Sequence, residues 1–346
     1  MKEERVWVMS NIKDVAKMAN VSISTVSHVI NGTRFVSEET KEKVRQAMES
    51  LNYVPNVAAF SLRTKKSKNI GVVIPITKDE TSNVFFMQVM QGIETVLSKN
   101  GYFLVLSNSK EDIKCEEQEI KNLLMRQVDG VIIASSRGDH SFIHQLLEEK
   151  EYVFIDRVPE GISDVDCIIS DGESGSYEAV RYLAELGHRK IGVLCDIIGE
   201  YPNSDRRYQG YLKALKDSGI PFRREYVKEC QSSIESGYDA TRRIMEETDI
   251  TALYVVSNVN AMGALQYFRE AHISIPEDIS MVIYDDYSWA KIYRPPLTVI
   301  RQEAFEMGRK SAELLLKRMN EPDLLEERGL IQMKTTLIKR ESCRPI

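Results

Sequence analysis

From Asn69 onward, short continuous apolar runs alternate with segments of helical period, and this alternation constrains the fold more than any other feature of the chain. Residues 70–74 read as a buried strand and 85–99 as an amphipathic helix. Strands at 102–106, 131–134 and 153–155 follow, with helices at 116–126 and 141–150. The cycle resumes with helix 174–186, strand 191–194, helices 205–217 and 236–246, strand 253–256, helix 261–271 and strand 281–284. Uninterrupted apolar strands between helices mean parallel sheets covered on both faces. There are too many units for one ordinary sheet. The fold expected over 69–346 is therefore α/β, with two doubly wound parallel-sheet lobes and a cleft between them.

Ahead of this body, residues 10–55 read as an all-α head. Asn11 can cap the free amides of a first helix, and Asp14 sits in its first turn, where negative charge is favoured. Val15, Ala16 and Ala19 give that helix one apolar face. Asn20 tolerates the left-handed conformation better than most non-glycine residues and makes the corner. Ser22 caps a second helix through Val26, Val29 and Ile30, which Asn31-Gly32 ends. A third helix begins at Ser37, with Val44, Ala47, Met48 and Leu51 as its buried stripe. Two short helices joined by a tight turn form a helix-turn-helix. A plain three-helix bundle would share this apolar pattern. The outer face of the second helix separates the two readings. Ser22, Ser24, Thr25, Ser27 and His28 are short hydrogen-bonding groups of the kind that reach base edges and phosphates, and hydroxyl side chains are mediocre helix formers.

Charge points the same way. Residues 1–68 carry twelve Lys and Arg against seven Asp and Glu, a net of +5, while the rest of the chain carries 34 against 45, a net of −11. A basic head on an acidic body suggests a polyanionic partner for the head alone. No apolar run approaches the ~18–20 residues of a membrane span, and the N-terminus has no secretory h-region. The five cysteines are scattered, without a CxxC pair, so neither a zinc site nor a disulfide framework is signalled. A cytoplasmic protein with reduced thiols is expected.

Contiguous stretches of the head carry a family resemblance. Asn11-Ile12-Lys13-Asp14-Val15-Ala16-Lys17, Val21-Ser22-Ile23-Ser24-Thr25-Val26-Ser27, Val36-Ser37-Glu38-Glu39-Thr40 and Leu51-Asn52-Tyr53-Val54-Pro55-Asn56 resemble the head of the lactose-repressor/galactose-repressor family. The resemblance implies a repressor that binds double-stranded operator DNA as a homodimer. It extends the candidate DNA-binding set to Ile12, Asn31, Asn56, Ala59 and Leu62. His28 stands where that family usually has arginine. Residues 56–68 then form a hinge, whose two helical turns are marginal in water by themselves. The resemblance implies that Leu62 wedges between base pairs in the minor groove; packing of Leu62 on the body is the other reading. The chain ends Lys339-Arg340-Glu341-Ser342-Cys343 without the leucine heptad of tetrameric members, so dimers are expected.

The body resembles the family's sensor domain, which shares its fold with periplasmic sugar-binding proteins. The matching residues include Val128-Asp129-Gly130-Val131-Ile132, Asp156-Arg157, Leu186-Gly187-His188-Arg189-Lys190-Ile191-Gly192, Arg207-Tyr208-Gln209-Gly210-Tyr211 and Tyr284-Asp285-Asp286. In open α/β sheets, ligands bind at the carboxyl ends of strands. Asp79, Asp156, Arg157, Ser257, Asn258 and Asp285 fall there, and Arg207 opens a helix. Carboxylates that accept and a guanidinium that donates suit a polyol or sugar. By resemblance, Arg207 and Asp285 are the strongest members of this set. Phe85 and Phe86 are cleft walls or core. Asn258 replaces the family's usual aspartate, and Ser232 stands where several members have an aromatic that stacks on the ligand. A phosphoprotein corepressor, as in the catabolite-control branch, and a nucleobase are the alternative effectors.

Enzymatic function is not expected. GxGxxG after a strand, GxxxxGK[ST] and GxSxG are all missing. His140 and His144 have a spacing two metal ligands could use, but no sequence partner completes a site. Asp285-Asp286 could be an acid/base pair, although the resemblance implies that Asp285 binds ligand. No cofactor and no metal are expected.

Overall fold

The structure, a computed structural model, describes residues 10–31, 34–53, 66–77, 80–200, 202–321 and 327–346, with only the backbone of Asn31 and of residues 80–82. The chain divides into two compact units, Met1–Ser67 and Lys68–Ile346. Asn56, Ala59, Leu62 and Asp79 lie outside the described residues, as does the Asn31 side chain.

In the first unit, helices α1 (Ile12–Met18), α2 (Ile23–Asn31) and α3 (Glu38–Ser50) enclose a small core. Asn11 and Asp14 form a reciprocal capping box at the start of α1. Asn20, at φ +52°, turns the chain between α1 and α2. Val15, Ala16, Ala19, Val26, Val44 and Ala47 are the buried centre, with Ile12, Val29, Met48 and Leu51 packed around it.

The second unit is built on two six-stranded sheets. In chain order it runs β1 (Asn69–Ile74), α4 (Glu80–Lys99), β2 (Phe103–Asn108), α5 (Ile113–Met125), β3 (Gly130–Ala134), α6 (Ile143–Leu146), β4 (Glu151–Ile155) and β5 (Cys167–Ser170). Then come α7 (Gly172–Glu185), β6 (Ile191–Asp196), α8 (Pro202–Asp217), a 3-10 turn (Arg224–Tyr226), β7 (Val227–Cys230), α9 (Ile234–Glu247), β8 (Ala252–Val255) and α10 (Asn258–Glu270). The chain closes with β9 (Ser280–Tyr284), α11 (Ser288–Ile292), β10 (Thr298–Arg301), α12 (Ala304–Asn320), β11 (Leu330–Met333) and β12 (Thr336–Ile338). The first sheet has the order β11-β5-β4-β3-β1-β2 and the second β12-β10-β9-β8-β6-β7. All recorded pairings are parallel except that of β12 with β10. Each lobe has apolar clusters on both faces of its sheet, as uninterrupted apolar strands require.

The chain passes between lobes three times: from β5 to α7, from β10 to α12, and from β11 to β12. These crossings make the two lobes exchange elements at the base of the cleft. Helix α12 returns to the first lobe and packs along α4. The approach is close enough that a Cβ on Gly92 would lie 2.0 Å from Phe305 O, and one on Gly308 1.9 Å from Val89 O.

The expected two-lobed α/β fold and helical head are present, with differences of detail. Helix 141–150 contracts to Ile143–Leu146, because the chain must turn into β4 at Glu151. Strands β5, β7, β10, β11 and β12 and helices α11 and α12 lie outside the elements that the sequence pattern predicts. These strands have only three or four residues, too few for a periodic signal, and what defines them is pairing with distant strands.

Candidate functional site

Two strand ends converge in the cleft. Asp156 follows β4 with φ +76°, and Asp285 follows β9 with φ +75°. Each strand is third in its sheet order, so the carboxylates hold corresponding places in the two lobes. Both line one cavity of about 150 Å³, together with Phe85, Phe86, Arg157, Arg207, Ser257 and Asn258. The candidate effector residues within the described parts of the chain thus share one chamber.

Asp285 is held from both sides. Gln302 donates to its Oδ1 at 2.6 Å and Asn258 to its Oδ2 at 3.0 Å. Arg207 donates through Nη1 to Val256 O at 2.7 Å, and its guanidinium lies 3.7 Å from the centre of the Tyr284 ring. Burial alone would depress the Arg207 pKa, but Tyr284, Asp285, Tyr254 and Asp156 together carry it above the usual arginine value. Burial pushes Tyr284 up to about 12 against the opposing field of Arg207. Asp156 is likewise raised by burial, opposed by Arg157 and Arg207. It accepts from Asn203 at 3.0 Å, while Arg157 pairs with Glu111. Phe85 and Phe86 meet edge to face at 5.3 Å; they belong to the first lobe's core and also line the cavity, so the two readings of them coexist.

Among the described residues lining the chamber, four buried polar atoms have no hydrogen-bond partner: Arg207 Nε, Asn258 Oδ1, Tyr287 Oη and Gln302 Oε1. Buried polar atoms are normally satisfied, so two acceptors, one donor and a hydroxyl that can do either on one cavity mark a place for a polar ligand. Asp196, Asn203, Ser204, Tyr287 and Gln302 also line the chamber and were not singled out in the sequence. Asp196 ends the apolar strand β6, the same signal that marked Asp156 and Asp285. Gln302 follows β10, a four-residue strand without a periodic signal of its own, so nothing local in the sequence marks it.

Other sequence candidates separate in space. Asp286 pairs with Arg340 at 2.5 Å and Lys291 at 3.6 Å rather than acting beside Asp285. His140 Nε2 lies 3.1 Å from buried Glu116, while His144 contacts Tyr152 and the Ser163 carbonyl. Among the described residues no three potential metal ligands converge.

In the head, the Ser22 hydroxyl caps α2 by accepting from Thr25 N at 3.0 Å, and it lies 2.7 Å from Ser24 Oγ and 2.8 Å from Thr25 Oγ1. These groups form one hydroxyl cluster at the start of the helix, with Ser22 and Ser24 exposed and Thr25, Ser27 and His28 half-buried. Ile12 is half-buried against the head's core.

Residues 11–56 match the family model described as bacterial regulatory proteins, lacI family, and residues 180–343 match that of the periplasmic binding protein-like domain. The HTH-type transcriptional repressor PurR of Pasteurella multocida is 33% identical over 339 residues, covering 97% of this chain and 99% of the relative. The chain belongs to the lacI family of bacterial regulatory proteins. The ribose operon repressor of Haemophilus influenzae is 34% identical over 337 residues, covering 96% of this chain and 98% of the relative. A crystal structure of the lac repressor dimer bound to operator and the anti-inducer ONPF is similar across 97% of this chain and 100% of its own, with 29% identity and a TM-score of 0.84. This lacI-family chain is accordingly a DNA-binding regulator with a helix-turn-helix head and a ligand-binding body. Its named relatives are transcriptional repressors. Among the described residues no helix is long and apolar enough to cross a membrane.

Proposed function

We propose that the chain is a cytoplasmic, homodimeric, non-enzymatic repressor whose grip on a double-stranded operator is set by a sugar-class effector between the lobes of its body. The observation that carries the effector class is the set of unpartnered atoms Arg207 Nε, Asn258 Oδ1, Tyr287 Oη and Gln302 Oε1 on a chamber that also holds Asp156 and Asp285. A sugar's hydroxyls can donate to the oxygens and accept from the guanidinium at once. Arg207, Asp285, Asn258 and Gln302 would bind it from the second lobe, and Asp156, Arg157, Phe85 and Phe86 from the first. Ser257 begins α10, whose N-terminal dipole favours an electron-rich hydroxyl there. The ribose operon repressor among the relatives supports the same class.

Ser22, Ser24, Thr25, Ser27 and His28 on α2 are the proposed base and phosphate contacts, completed by Ile12, Asn31, Asn56, Ala59 and Leu62. Dimerisation doubles the site that one head reads. An apolar groove between α4 and the edge strand β2, lined by Met87, Met90, Leu97, Phe103 and Leu104, supports a dimer seam on the first lobe. Met87 and Phe103 are 53% and 66% exposed there, large apolar groups suited to burial by a partner.

The test is a thermal-shift screen of the full chain and of Arg207→Ala against monosaccharides and disaccharides. A sugar that stabilises the native chain and not the variant supports the reading. Equal shifts in both proteins would remove Arg207 from the site.

A further inference from the structure

The chamber has an open side. Past Phe86, Arg157 and Ser232, which line both spaces, it meets an outer chamber of about 430 Å³, against about 150 Å³ for the inner one. At ~30 Å³ per water, the inner space holds about five waters, close to one sugar ring. The outer space is almost three times as large and has its own polar wall of Glu111, Arg137, Glu200 and Gln231.

The charges on that wall alternate. Arg157 pairs with Glu111, and Arg137 lies 3.9 Å from Glu111 and 3.2 Å from Glu200. Among the described residues two guanidinium groups and two carboxylates balance, so together they offer no net attraction to a phosphate or carboxylate. What it offers is a row of donors and acceptors in alternation, which matches groups that donate and accept together. Among the described residues Phe86 is the one aromatic lining this outer space, and it is 95% buried, with a 5% exposure that leaves little ring face for a flat base to stack on. Half-buried Ser232 lines both spaces and presents only a hydroxymethyl group between them.

We propose that the effector is a neutral sugar of two units, a disaccharide-class glycoside, with one ring in the inner chamber and a second, hydroxyl-rich unit against the outer wall. This rests on the reading that a sugar occupies the inner chamber, and it adds the size and charge of that sugar. The small side chain at position 232 sets the specificity, because it admits the link between the rings.

Calorimetric titration of the full chain with D-ribose, D-glucose, cellobiose, maltose, sucrose and adenosine tests this. At least one disaccharide should bind tenfold or more tightly than either monosaccharide. Gln231→Ala, which trims the outer wall alone, should weaken that disaccharide threefold or more and leave monosaccharide affinity unchanged. Ser232→Trp, which puts an indole between the two spaces, should lose the disaccharide. A monosaccharide that binds as tightly as every disaccharide overturns the two-unit proposal and leaves the sugar-effector reading standing. Tightest binding by adenosine overturns it in favour of a stacked base. Binding of none of the six overturns both readings.

Discussion

The Asn203 amide, on the second lobe, donates to Asp156 Oδ1, on the first, across 3.0 Å. The carboxylate that lines the ligand chamber is therefore also a bond between the lobes. Arg137 and Glu200 make a second such link at 3.2 Å. A ligand that holds Asp156 and Asp285 together would act on the same separation. Differential affinity for the closed cleft is the means by which an effector can shift such an equilibrium. Asn203→Ala should weaken effector binding several-fold without removing any atom of the Arg207–Asp285 side, as calorimetry would register. Unchanged affinity would mean that this bond does not contribute to closure.

Arg207→Ala should weaken effector binding by tenfold or more, since a hydrogen bond to a charged group contributes ~1.5–3 kcal/mol. The head is a separate compact unit, so operator affinity without effector should be kept. Filter binding to operator and titration with effector measure the two halves. Loss of both together would point to a folding defect.

Asp196 lines the same chamber, and burial raises its pKa above 3.8 despite the opposing charge of Arg207. Between 3.8 and that raised value the native state holds a proton that the unfolded chain has released. Stability contributed by this group is therefore complete below pH 3.8 and is lost as pH rises through the native value. Asp196→Asn should raise the melting temperature at neutral pH, with the gain shrinking to nothing below pH 3.8. Melting curves of both proteins across pH 3 to 8 test the sign; a gain that grows on acidification would show that the carboxylate is stabilised, not strained, by its site.

Gly308 sits where α12 crosses α4 with no room for a side chain. Gly308→Ala must push the helices apart, at ~1–3 kcal/mol for an overpacked core. Urea unfolding that shows no lower midpoint would mean the two helices can separate without cost.

The legible parts of the sequence were those with local signals. Asn11, Asn20, Ser22 and Ser37 announce the head because capping and left-handed turns depend on one residue and its neighbours. The long apolar strands announce the two lobes, and Asp156 and Asp285 could be placed because each follows such a strand. Gln302 and Asn203 were not legible. One follows a four-residue strand that exists through its pairing with β9 and β12, and the other reaches Asp156 only once the lobes have folded together. The three crossings were hidden for the same reason: nothing local says which sheet a short strand joins.

His28 stands half-buried on α2 with the hydroxyl cluster at the other end of the same helix. His28→Arg supplies a permanent cation with a forked donor set. If it meets a phosphate, operator binding should tighten several-fold, and the slope of log K against log salt should steepen by ~0.9. A slope that does not change would place this position away from the backbone.

One chain is proposed to couple operator to effector. That coupling is tested most directly by selecting duplexes from a random pool with the full chain, then titrating the selected site with and without the sugar that stabilises the native protein and not Arg207→Ala. The prediction is a dyad-symmetric site whose affinity changes by about fivefold or more, from a coupling of ~1–3 kcal/mol, with no change in the variant. A selected site without dyad symmetry, or an affinity that the bound sugar leaves unaltered, would contradict it.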